Sequence, residues 1–79
     1  MEIKEEMTKF AEFVKEESNG EMVLLCEMNS YTRIILVTIE DRDNDVGLDL
    51  LYELGKSDEN IFKSQLKRAI GIIKNSARR

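Results

Sequence analysis

The spacing of apolar residues changes period twice along this chain, and few folds accommodate that pattern. In residues 2–18, Ile3, Met7, Phe10, Ala11 and Val14 recur every three or four positions, which is one stripe of a helix. Phe13 widens the stripe. Between residues 21 and 54 the period falls to two, the spacing of a strand whose side chains alternate between faces. From 58 to 76 the helical spacing returns, with Phe62, Leu66, Ala69, Ile70, Ile73 and Ala77 on one stripe and Ile61 and Ile72 beside it. No Pro interrupts either helical segment.

The alternating region divides into three strands. Residues 21–29 send Met22, Leu24, Cys26 and Met28 one way and Val23, Leu25 and Glu27 the other. Residues 32–40 are rich in β-branched side chains, and Asn29-Ser30 supplies the turn before them. Asp41 to Asp45 form a polar loop. In residues 46–54, Val46, Leu48, Leu50, Tyr52 and Leu54 match period two. Leu48, Leu51 and Tyr52 also fit helical spacing, and the count of matches favours a strand. At the boundaries, Ser18-Asn19-Gly20 stops the first helix with Gly20 in the left-handed cap, Gly55 ends the third strand, and Ser57 or Asp58 caps the last helix.

The expected architecture is α+β: helix, three-stranded antiparallel meander, helix (αβββα). Both helices pack on one face of the sheet, in a single domain covering residues 1–79. The second strand is apolar on both faces, which makes it the middle strand. Its outer face, with Leu25 and Leu51 nearby, is more apolar than a free monomer favours. The second helix is expected to cover part of it, with a homodimer or a partner protein as the other ways to cover it.

Composition narrows the function. There is no His and one Cys, so no disulfide and no cluster of His and Cys ligands can form. With 35% charged residues and no long apolar run, no segment reads as a membrane span. The start, Met-Glu-Ile-Lys-Glu-Glu, is acidic where a secretion signal is basic, so a cytoplasmic location is expected, with Cys26 a reduced thiol. The alternation places Cys26 among buried apolar residues. Without His there is no base with an ordinary pKa near neutrality, and the four glycines stand apart rather than in a phosphate loop. An enzyme is not expected, and nothing calls for a cofactor. Gly71, inside the last helix, would either permit a close helix contact or be neutral.

The charge is polarised. Residues 1–59 carry 16 acids against 6 bases, a net −10, while residues 60–79 carry six bases and no acid, a net +6. Alternate acids at Asp41, Asp43 and Asp45, followed by Gly47, Asp49 and Glu53, invite comparison with a calcium loop. The helix–loop–helix calcium pattern needs Gly sixth and Glu twelfth, and counted from Asp41 these fall seventh and thirteenth. The acids instead suggest a docking surface made of Glu40, Asp41, Asp43, Asp45, Asp49 and Glu53, in which spaced carboxylates stand in for phosphates on a basic groove.

The last helix offers the opposite sign at Lys63, Lys67, Arg68, Lys74 and Arg78, a spacing suited to phosphate contacts. The element order helix, three strands, helix is also that of double-stranded-RNA-binding domains. Those domains carry a Lys-Lys-x-Ala-Lys cluster where this chain has Lys56-Ser57-Asp58-Glu59-Asn60, so the likeness stops at element order. Short, acidic chains without His or Pro are common among small inhibitors and modulators, including those of phages and mobile elements. The expected function is therefore a small acidic protein-binding module, an inhibitor or modulator that docks on a basic site of a partner, itself a candidate nucleic-acid-binding protein. The alternatives are an RNA- or DNA-binding module using the last helix, and a structural homo-oligomer.

Overall fold

The computed structural model describes residues 2–77, with side chains described from residue 5 to 76. The order is α1 (Glu2–Glu17), β1 (Met22–Asn29), β2 (Ile34–Asp41), β3 (Val46–Glu53) and α2 (Glu59–Ala77). The strands form one antiparallel sheet, β1-β2-β3, with β2 in the middle. Residues 46–53 are thus a strand, and the competing helical spacing is not used. α1 lies over β1, and α2 lies over β3 and part of β2.

Each boundary has a local cause. Asn19 (φ 58°) and Gly20 (φ 81°) are both left-handed, and the Gly20 N–H donates to the Lys15 carbonyl at 2.8 Å while Asn19 donates to Glu16 at 3.2 Å. This is the two-bond cap in which Asn19, rather than Gly20, holds the first left-handed position. Ser18 is fully buried, and its Oγ accepts the Met22 N–H at 3.1 Å, tying α1 to the start of β1. The first hairpin loop is longer than Asn29-Ser30 suggests. Asn29 Oδ1 accepts the N–H groups of Tyr31 (2.9 Å) and Thr32 (3.2 Å), and Arg33 closes the loop at φ 60°. Asp58 caps α2, its carboxylate accepting the Ile61 N–H at 3.0 Å.

The core lies between the helices and one sheet face. Ile35, Val37 and Ile39 of β2 are almost wholly buried, as are Met22 and Tyr52 on the flanking strands. The helices contribute Met7, Phe10 and Val14 from α1 and Phe62, Leu66, Ala69, Ile70 and Ile73 from α2. The side chains of Ile3 and Ala77, expected on the same stripes, lie outside the described residues. Phe10, Tyr52 and Phe62 meet as a trio with centroids 4.8–5.3 Å apart, in tilted and edge-on geometry. The Tyr52 hydroxyl donates to Glu6 at 3.0 Å, and burial, reinforced by that carboxylate, pushes its pKa up to about 12.

Two expectations are corrected, for Cys26 and for the outer face, and the open choice at Gly71 is decided. Cys26 is exposed, although it faces the helix side of the sheet. β1 is an edge strand whose residues from Leu25 onward are all exposed, so alternation assigns Cys26 a face but not a depth. Gly71 makes no close contact, since a Cβ there would meet nothing within 4 Å. Neither helix covers the outer face, where Leu25, Leu36 and Leu51 remain 48%, 39% and 63% exposed.

Candidate functional site

The pairing register assembles the outer face from four residues of each strand. Across the sheet the rows are Val23–Glu40–Gly47, Leu25–Thr38–Asp49, Glu27–Leu36–Leu51 and Asn29–Ile34–Glu53. Apolar side chains run obliquely over this grid, from Val23 and Leu25 on β1 through Leu36 to Leu51 and Ile34. Glu27 stands on one side of that stripe, and Glu40 and Asp49 stand on the other. Glu53 closes the end nearer the first hairpin. No Lys or Arg occupies any position of the grid.

The details favour a negative surface. The Thr38 hydroxyl donates to Asp49 Oδ1 at 2.9 Å, which orients that carboxylate along the sheet. Glu53 pairs with Lys56 at 3.3 Å, an exposed contact that neutralises little. Glu27 and Glu40 have no ion-pair partner among the described residues. Gly47 keeps its corner low, since a Cβ there would come within 3.1 Å of the Ile39 carbonyl oxygen. Toward the first hairpin the face deepens into a shallow groove lined by Glu27, Met28, Ile34, Leu36 and Leu51. Tyr31, in the hairpin loop between β1 and β2, is 98% exposed.

Of the acids expected to dock, Glu40, Asp49 and Glu53 come together on this face. Asp43 and Asp45 lie in the exposed loop Arg42–Asp45 at its far end. Asp41 does not belong to the surface. It is 4% exposed and holds the loop together, accepting the Asp43 N–H at 3.2 Å and the Asn44 side-chain amide at 2.8 Å. β2 extends through Asp41, one residue past the expected end, and Asp41 shares the inward parity of Ile39. Glu27, an acid of the wider body outside the docking set of residues 40–53, joins this face. It is distant in sequence from the acidic loop, and only the register places it beside Leu36 and Leu51.

The basic residues of α2 do not form one free stripe. Lys63 sits over the Phe13 ring, 5.9 Å from its centroid, and Lys74 donates to the Glu17 carbonyl at 3.4 Å, so both serve the α1–α2 contact. Lys67 and Arg68 are exposed, and Arg78 lies outside the described residues. Ile61 and Ile72 are exposed on the same helix, 61% and 49%. Among the described residues no helix is long and apolar enough to cross a membrane. Comparison with family profiles, curated proteins and solved structures returned no significant match.

Proposed function

We propose that this chain is a protein-binding module, an inhibitor or modulator acting in the cytosol, whose outer sheet face docks on a basic surface of its partner. The observation that carries this reading is the composition of that face: apolar side chains at the centre, Glu27, Glu40, Asp49 and Glu53 around them, and no cation. Exposed apolar area of this kind is what interfaces cover, and acids of one sign select the partner's charge and speed the encounter. A basic groove that ordinarily receives phosphates is one surface of matching sign, which keeps nucleic-acid-binding proteins among the candidate partners.

Nucleic-acid binding through α2 is the weaker reading. Two of its four described basic residues are engaged against α1, leaving Lys67 and Arg68. The test is retention of partner proteins from lysate, with and without nuclease treatment, on the wild-type chain, on Glu40→Lys/Asp49→Lys and on Lys67→Glu/Arg68→Glu. The reading predicts proteins held by the wild type and by the α2 variant, lost on the face variant, and released as salt rises toward about 0.5 M. Retention that depends on Lys67 and Arg68 and vanishes with nuclease would move the function to α2.

A further inference from the structure

We infer that the element received by the outer face is an α-helix of the partner, about three to four turns long, with one apolar stripe flanked on both sides by Lys or Arg. This rests on the docking reading and specifies its occupant.

The argument starts from shape. Three strands spaced about 4.8 Å apart and eight residues long present a surface roughly 14 by 26 Å. One helix, about 10 Å across, fills that width, and two do not fit. The apolar residues form a single oblique stripe rather than a broad patch. From Val23 to Leu51 it spans roughly 16–20 Å, which is about 11–14 residues of helix at 1.5 Å per residue.

Charge supplies the second part. Glu27 lies on one side of the stripe, and Glu40 and Asp49 lie on the other, so cations are wanted on both flanks of the occupant's apolar seam. A helix with apolar residues at i, i+3, i+4 and i+7 and bases beside them has that distribution. An added strand would instead use the backbone of β1 or β3 at the sheet edges and leave Leu36, on the middle strand, uncovered. A second copy meeting face to face would set these acids against one another, with no cation on either face. The shallow groove at Leu36 and Leu51 gives the stripe a natural anchor point.

The test is a titration of the isotope-labelled chain, followed by backbone amide resonances, with two synthetic peptides of Leu and Lys. Both are about 18 residues long, so that a helix can form. One spaces Leu at i, i+3, i+4 and i+7; the other has the same composition with Leu and Lys alternating, which suits a strand. The expected result is that the helical peptide shifts Leu25, Leu36, Thr38 and Leu51 and binds at least about tenfold more tightly than the alternating one, a gap of about 1.4 kcal/mol. A footprint this small places the affinity in the weak, transient class. Equal or tighter binding of the alternating peptide on the same face would overturn the helical occupant and leave the docking reading standing. Shifts confined to other surfaces, or none with either peptide, would overturn both. Peptide-free chain whose mass grows with concentration, and whose growth is abolished by Lys67→Glu/Arg68→Glu, would instead give the face to α2 of a second copy.

Discussion

Ile35 and Leu36 are neighbours in sequence and lie on opposite faces of the middle strand, so truncating each to Ala compares a closed face with an open one. Ile35 is 1% exposed, on the face of β2 that looks into the core. Removing most of its side chain loses the transfer energy and leaves a cavity the helices cannot fully close, about 3 kcal/mol within the 2–5 range for such sites. Leu36 is 39% exposed. Only about three-fifths of its 1.5–3 kcal/mol burial energy is in play, and solvent fills the space left, so the loss is about 1 kcal/mol. A domain of this length is stable by about 4–12 kcal/mol, so the first substitution removes a large fraction and the second a small one. Equilibrium urea unfolding, followed by circular dichroism at low protein concentration, measures the difference. With m about 1 kcal/mol/M for so short a chain, the midpoints should separate by about 2 M. Equal losses at the two positions would mean that the outer face is packed in the free protein, and the docking account would fail with it.

Other expectations follow from single sites. Gly71→Ala should stabilise the fold by about 0.5–1 kcal/mol, because the position is exposed inside a helix and a Cβ there meets nothing; a loss in thermal unfolding would show an unrecognised contact. In Tyr31→Phe, which leaves Tyr52 as the one tyrosine, phenolate absorbance should rise only near pH 12. Below about pH 10 both states hold that proton and the contribution to stability is complete; between about 10 and 12 the unfolded chain releases it first, so stability should fall through that window. Cys26 should react with a thiol reagent in the native protein at nearly the rate of the denatured chain, and a rate limited by unfolding would show that the β1 edge is covered.

Much of the fold was legible because its signals are periodic. The helical stripes, the three alternating segments and the doubly apolar middle strand all appear where their spacing places them. What escaped depends on depth and register. Alternation put Cys26 on the face of Met22, but the same face is buried at Met22 and open at Cys26, since cover depends on where the helix lies. β2 ends one residue beyond its expected end at Glu40, and that residue, Asp41, falls on the inward parity of Ile39. The apolar outer face with Leu25 and Leu51 was legible, and the acid-rich stretch was read separately over residues 40–53; only the pairing joins the two and adds Glu27 and Val23 from β1. Charge along α2 suggested a free basic stripe. Two of its lysines lean on α1, a tertiary contact that no local pattern encodes.

The most direct test of the docking account is a methyl spectrum of the chain labelled at Leu and Ile, recorded with and without a partner captured through the wild-type protein. The account predicts that Leu25, Leu36, Leu51 and Ile34 shift while Leu66, buried on the core-facing side of α2, holds its position. Movement of Ile61 and Ile72 on α2, with the outer-face leucines unchanged, would contradict it.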